Sequence, residues 1–315
     1  MLKTVAIYSK ENKPKTNDGV IRLIKEFGRR GIKMKIYQKN ADPVSYPDGE
    51  LIEKFNDLGN LKEMPDLVLS VGGDGTFLET MLKVRDFGIP IAGVNTGRMG
   101  FLANISEDEI SHSIDLLCGG EYKVVERSLI EIKEPHGIFD RGASTALNEV
   151  TIQKADPSMI TINVYVDGAY LNTYWADGLI VSTATGSTAY NLSVGGPILS
   201  PEDESIIISP ISPHNLTIRP IIISGESNLR MIVEGRSKEY IATCDFRSKR
   251  LPFSEGISIS RSREKLKTVM LKGMDFYSTL RNKLMWGADR RHLPELTCYQ
   301  HPDIQEVSND GGIRV

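Results

Sequence analysis

Leu67-Val68-Leu69-Ser70-Val71-Gly72-Gly73-Asp74-Gly75-Thr76-Phe77-Leu78 is the stretch on which the reading of this chain turns. Its apolar opening predicts a buried strand, and an apolar pattern at helical spacing starts just after the glycines. Gly72, Gly73 and Gly75 reach backbone angles closed to other residues and let a ligand approach the main chain. Amide groups at a helix start can face an anion such as phosphate. The bland reading is a tight strand-to-helix turn capped by Asp74. A doubled glycine and an aspartate after a buried strand favour phosphate and nucleotide chemistry instead. The stretch contains neither a Gly-x-x-x-x-Gly-Lys-Ser/Thr loop nor a Gly-x-Gly-x-x-Gly fingerprint.

Working outward, residues 5–9 predict a strand, and Val20, Leu23, Ile24 and Phe27 predict a helix over 16–30 that stops at Gly31. A strand over 33–37, a weaker helix over 50–58, a strand over 66–71, a helix over 76–87 and a strand over 89–94 follow. Ser106-Glu107-Asp108-Glu109 has capping-box spacing and announces a helix burying Ile110, Ile114 and Leu117. This alternation predicts a parallel, doubly wound α/β sheet, in which ligands lie beyond the carboxyl ends of the strands. After about residue 128 the texture changes. Residues 160–166 alternate strictly, Asp167-Gly168 is a hairpin turn, and 169–175 return. Short strands over 206–209, 221–224, 230–234, 240–244 and 257–261 predict an all-β second domain. A strand over 268–271 and a short helix over 278–286 would bring the chain end back to the first domain. The expected division is an α/β domain over 1–127 with 268–292 returning to it, an all-β domain over 128–267, and a tail over 293–315.

With 40% hydrophobic and 25% charged residues, the 315-residue chain is neither collagenous, coiled-coil nor disordered, and it can bury two cores. Lys+Arg 38 against Asp+Glu 41 leaves a net charge of -3, which argues against a nucleic-acid binder or a polybasic membrane anchor. No apolar run nears the ~20 residues of a membrane span, and the opening residues are too short for a signal peptide. Three scattered cysteines and five scattered histidines form no disulfide framework and no zinc pattern. A cytoplasmic protein is expected, with no nucleic-acid or membrane partner.

Two further segments carry chemistry. In Asp177-Gly178-Leu179-Ile180-Val181-Ser182-Thr183-Ala184-Thr185-Gly186-Ser187-Thr188-Ala189-Tyr190 a strand delivers an aspartate and then a loop dense in hydroxyls. The loop offers donors to a polar ligand, and Tyr190 can stack on a base. Leu147-Asn148-Glu149-Val150-Thr151-Ile152 is a strand entry that places an amide beside a carboxylate, a pairing that alone marks little more than a turn.

Together and in this order the three segments resemble the NAD kinase family. So do 93–102, Gly195-Gly196-Pro197-Ile198-Leu199-Ser200-Pro201 and the closing run 276–284, so that the likeness covers roughly residues 1–292. The resemblance implies transfer of the γ-phosphate of ATP to the 2′-hydroxyl of the adenosine ribose of NAD. It implies Asp74 as general base or acceptor for that hydroxyl, with Gly75 beside it, and Gly72 and Gly73 leaving space for the phosphates of ATP. Asn148 and Glu149 would hold the ribose, and Asp177 the nicotinamide side. Thr188 and Tyr190 would take the adenine, with Thr185, Ala189, Asn191, Leu192 and Ser193 lining the pocket. Mg²⁺ would come with ATP, with no protein ligand assigned to it, and a homo-oligomer, dimer or tetramer, is implied. Where many members read Asp-Gly-Gln, this chain has Asp245-Phe246-Arg247. Arg247 either contacts a phosphate or closes a strand end. Two other readings are weighed: a diacylglycerol-type lipid kinase, which shares Gly-Gly-Asp-Gly, and a non-catalytic NADP-binding sensor.

Overall fold

Five strands, β1 (Thr4–Tyr8), β2 (Lys33–Tyr37), β3 (Ile52–Phe55), β4 (Leu67–Gly72) and β5 (Ile91–Asn95), form a parallel sheet in the order β5-β4-β1-β2-β3. The computed structural model describes residues 2–10, 14–37, 52–97, 100–139 and 144–285. Every residue of β1, β4 and β5 is buried, because a parallel sheet wound on both sides has helices over both faces. One face carries helices Pro14–Arg29 and Ile110–Gly119, which pack Leu23, Phe27 and Ile114 against Val5, Ile7 and Leu69. The other carries helix Asp74–Val84, whose Phe77 and Met81 meet Ala6, Val68 and Ile91. Gly31, at φ 68°, ends the first helix as its sequence suggested.

Two local expectations are corrected. The helix expected over 50–58 is, in its described part, strand β3 followed by a 3₁₀ turn, Leu58–Asn60, capped by Asp57. Ile52 and Phe55 lie three apart, a spacing that gathers them on one side of a helix but on opposite faces of a strand. Here both faces are apolar: Ile52 packs into one core and Phe55 into the other. The edge is sealed by Glu53, which accepts from the buried Lys35 on β2. The capping box at Ser106 is also absent, since Ser106 Oγ donates to Glu109 Oε2 at 2.9 Å instead. A 3₁₀ turn, Glu107–Glu109, therefore leads into the helix, which does bury Ile110, Ile114 and Leu117.

Up to residue 271 the second half is β apart from a 3₁₀ turn, Thr185–Thr188, and a one-turn helix, Tyr190–Ser193, and its strands divide between two sheets. Beyond the two-residue β6 (Ile105–Ser106) come β7 (Tyr122–Glu134), β8 (Thr145–Ala146), β9 (Glu149–Lys154), β10 (Ile160–Val166), β11 (Ala169–Ala176) and β12 (Gly178–Ser182). The chain continues with β13 (Ile206–Ile211), β14 (Ile221–Ile223), β15 (Leu229–Gly235), β16 (Glu239–Cys244), β17 (Arg247–Pro252) and β18 (Ile257–Leu271). One sheet is antiparallel, β14-β13-β12-β9-β16-β17. The other prolongs the parallel sheet as β11-β10-β15-β18-β5, with β7 alongside β18. Between the two lies an apolar core of Val150, Ile152, Leu179, Val181 and Tyr240 against Ile162, Val164, Met231 and Ile257. β18 is a single 15-residue strand where two short ones were expected. It pairs with β15 at one end and, through Thr268 opposite Ile91, with β5 at the other. The chain thus returns to the α/β sheet. Helix Phe276–Leu284 follows.

Candidate active site

At the carboxyl end of β4 the chain turns through Gly72 and Gly73 into helix Asp74–Val84. Gly72 has φ 152°, and the side chain of Thr76 occupies the place where a Cβ would go. A Cβ on Gly73 or Gly75 would meet nothing within 4 Å. The protein's own packing therefore demands the first glycine, while the other two border open space.

Asp74, first in the helix, is held by a segment that follows β5. Its Oδ2 accepts from the Phe101 N–H at 2.8 Å, and its Oδ1 accepts from Leu102 and Ala103 at 3.0 and 3.1 Å. A carboxylate has about four acceptor sites, so among the described residues these three amides leave one on Oδ2. Gly100 is required here, because a Cβ would overlap the Asp74 carboxylate. Arg98 and Met99 lie outside the described residues.

The other predicted residues gather on the antiparallel sheet. Glu149 opens β9, opposite Ser182 at the end of β12, and the next residue, Val150, pairs with Cys244 at the end of β16. Asn148-Glu149, the loop after Ser182 and the β16–β17 turn thus share one sheet end. Strand alternation turns Val150 and Ile152 into the core and Glu149, Thr151 and Gln153 to the opposite face. The 183–193 segment covers that face. Asn191, fully buried, accepts from Ser209 Oγ at 2.6 Å and donates to the Pro197 carbonyl at 3.0 Å. The Tyr190 hydroxyl accepts from Gln153 Nε2 at 3.5 Å. Thr183 ties the loop to the Asn148 segment, its N–H donating to the Asn148 carbonyl at 2.9 Å. Gly186 packs on the same carbonyl, with no space for a Cβ.

Among the described residues three buried oxygens here have no protein hydrogen-bond partner: Glu149 Oε2 and Thr151 Oγ1 on the sheet face, and Thr185 Oγ1 in the segment over it. An unsatisfied buried polar atom costs roughly 1–3 kcal/mol, and such atoms on the sheet face and in the segment over it mark a place for polar ligand atoms. Glu149 is further distinguished by its proton affinity. Burial, then the nearby charge of Asp245, pushes its carboxyl up to about 8, against the opposing Tyr190 N–H.

Asp177 stands at the far end of β12, roughly 20 Å from Thr183 by strand rise. Its carboxylate accepts from Lys154 Nζ at 2.6 Å. Thr188 Oγ1 donates to the Thr185 carbonyl at 3.4 Å, while Ala189 and Leu192 are half-buried and Ser193 is exposed. Asn191 is built into the protein's own bonding. Arg247 is likewise engaged with main chain, Nη2 with the Thr145 carbonyl at 2.7 Å and Nε with that of Cys244 at 3.1 Å, as a strand-closing arginine would be. The two halves of the site share a core, in which Phe77 of the Asp74 helix and Leu147 belong to one apolar cluster with Leu102 packed on it.

Sequence reading did not single out Thr151, Thr183, Lys154 or the amides of 101–103. Thr151 has a signal in hindsight: it shares the alternation parity of Glu149. The others acquire their roles from strand pairing and loop closure over tens of residues.

Both halves of the chain match domains of known proteins. Residues 26–122 match the ATP-NAD kinase N-terminal domain and residues 147–271 the ATP-NAD kinase C-terminal domain. The chain is 45% identical to an NAD kinase of Cytophaga hutchinsonii over 229 residues, 72% of this chain and 78% of that one. It is 37% identical to an NAD kinase of Flavobacterium psychrophilum over 292 residues, 91% of this chain and 99% of that one. Among solved structures, the NADH-complexed yeast NADH kinase shares the fold, with a TM-score of 0.79 at 23% identity over 93% of this chain and 90% of that one. The ATP complex of an NAD kinase from Archaeoglobus fulgidus gives a TM-score of 0.69 at 26% identity, over 90% and 98%. With its fold, its Gly-Gly-Asp-Gly turn and both family domains in place, this chain belongs to the ATP-NAD kinase family.

Proposed function

We propose that the chain phosphorylates NAD, moving the γ-phosphate of ATP to the 2′-hydroxyl of the adenosine ribose to give NADP. The observation that carries the reading is the trio of buried oxygens without a partner among the described residues, on Glu149 and Thr151 of the sheet face and on Thr185 of the segment over it. A ribose diol and an adenine ring supply the donors and acceptors such a surface needs. In this reading Asn148 and Glu149 hold the ribose, Thr188 and Tyr190 border the adenine, and Asp177 with Lys154 meets the nicotinamide end. The distance between the two ends suits an extended dinucleotide.

Phosphoryl transfer asks a protein chiefly for positioning and charge stabilisation. Asp74 would accept the 2′-hydroxyl proton on its remaining Oδ2 site while three amides keep the carboxylate aimed. Gly73 and Gly75 leave room for the phosphates of ATP at the start of a helix, whose amides favour anions. Mg²⁺ is assigned to the phosphates, where it screens their charge. Among the described residues no three His, Cys, Asp or Glu side chains gather as a metal cluster. The acceptor site falls within the proposed domain 128–267 and the donor site within 1–127. A homo-oligomer is proposed, as is a cytoplasmic location. Among the described residues no helix is long and apolar enough to cross a membrane.

The test is incubation of the purified chain with NAD, ATP and Mg²⁺ and enzymatic detection of NADP. Turnover is expected. Binding of NADP without its formation would favour a sensor, and phosphorylation of diacylglycerol alone would favour the lipid kinase.

A further inference from the structure

The turn between β16 and β17 contains a side chain that the proposed chemistry leaves unused. Asp245 sits there at φ 50°, a left-handed conformation uncommon outside glycine, and its side chain is fully buried. Its Oδ2 accepts from the Leu147 N–H at 3.0 Å, and its Oδ1 accepts from Asn148 and Glu149 at 2.9 and 3.3 Å. Its own N–H donates to the Glu149 carbonyl at 3.0 Å. Arg247, whose Nη2 is 3.8 Å from Asp245 Oδ2, holds the same strap two residues earlier, at Thr145. The residue pair read as the ribose contact is thus shaped by a carboxylate from a distant hairpin.

We propose that Asp245 is a positioning residue for the acceptor nucleotide: its carboxylate fixes the main chain of Leu147, Asn148 and Glu149, and its charge sets whether Glu149 offers a donor or only acceptors. The inference rests on the reading of Glu149 as a nucleotide contact. Two carboxyls whose charges act on one another cannot both ionise without cost. Burial raises Asp245, but three amides and the Arg247 guanidinium work against that rise. Glu149 has a single opposing amide, from Tyr190. With four opposing contacts against one, Asp245 is the better placed of the two to carry the charge and Glu149 the proton. Other groups near the pair, among the described residues, are the Cys244 thiol, driven up by burial, Arg85, which acts on that thiol from the end of helix Asp74–Val84, and Lys10, whose Nζ lies 5.8 Å from the Phe246 ring centroid. A proton-bearing Glu149 gives the ribose diol one donor and one acceptor, and ionisation removes the donor.

The test is the dissociation constant of NAD, by calorimetry on the full chain from pH 6 to 9.5, with NADP formation followed in parallel. For the parent chain the constant should be flat at low pH and rise about tenfold per unit above about 8. Asp245→Asn removes the neighbouring charge and should weaken NAD binding at pH 7 while moving the alkaline limb down by about one unit or more. The KM for ATP should stay as it was. Glu149→Gln cannot titrate and should abolish the limb. A limb unmoved in Asp245→Asn, or one that persists in Glu149→Gln, overturns the proposal; the second arm decides alone where the first variant does not fold. A limb that behaves as described in a chain forming no NADP would sink the kinase reading and leave this one standing.

Discussion

Asp74 is both a clip and a candidate base, and the two roles respond differently to one substitution. In Asp74→Asn one oxygen still accepts, but the new NH₂ faces main-chain amides that are donors themselves. NAD is held by other residues, so its dissociation constant should change no more than a few-fold while kcat falls by about two orders of magnitude or more. Calorimetry beside steady-state rates checks this, and equal losses in both would make Asp74 a fold or ligand anchor. Glu149 gives a prediction about stability. Its carboxyl titrates near 8 in the folded chain, against an ordinary value of 4.5. Between those values the folded chain binds a proton that the unfolded chain lacks, so this group's contribution to stability declines as pH rises from about 4.5 to 8 and is level above. The slope is at most about 1.4 kcal/mol per pH unit. In ligand-free urea unfolding, Glu149→Gln should gain on the parent steadily from pH 5 to 8; a constant difference would contradict the assignment. The chemical types at these positions could be read from sequence, because Gly-Gly-Asp-Gly and Asn148-Glu149 are local patterns. Their partners could not, since Asp74 is held 27 to 29 residues downstream and Glu149 answers to Asp245.

Among elements, the glycines of the Asp74 turn separate packing from ligand approach. Gly100→Ala drives a methyl into the Asp74 carboxylate. Overpacking of this kind costs about 1–3 kcal/mol, so a melting temperature lower by several degrees should accompany a loss of turnover. Gly75→Ala has room for its methyl and sits in the first turn of a helix, where alanine is favoured over glycine. Its melting temperature should hold or rise while the KM for ATP increases, and an unchanged KM would move the phosphates elsewhere. Element types were legible where one apolar period dominated, as in β1, β4 and the helix of Phe27. They were not legible at β3, where residues three apart serve cores on opposite faces. They were also not legible at β7, whose Lys, Glu and Arg residues mask a strand that only pairing with β18 reveals.

For the whole molecule, β18 is the strand that cannot be divided. It belongs to the antiparallel part of the large sheet through β15, to the parallel part through β5, and to β7 along most of its length. Residues 4–271 should therefore melt in a single calorimetric transition, and two resolved endotherms would show that the sheets are energetically separate. The two textures of the sequence were real, but a change of texture says nothing about a backbone ladder that crosses it. The β16–β17 turn carries one more consequence, which concerns the order of synthesis. Asp245 is translated 97 residues after Asn148. A nascent chain that has already emerged with Asn148, Glu149 and the whole Tyr190 loop still lacks the anchor that shapes its ribose contact. The dinucleotide should thus assist the folding of finished polypeptides far more than that of growing ones, and ribosome-bound intermediates ending before residue 245 should respond to its concentration more weakly than the full chain.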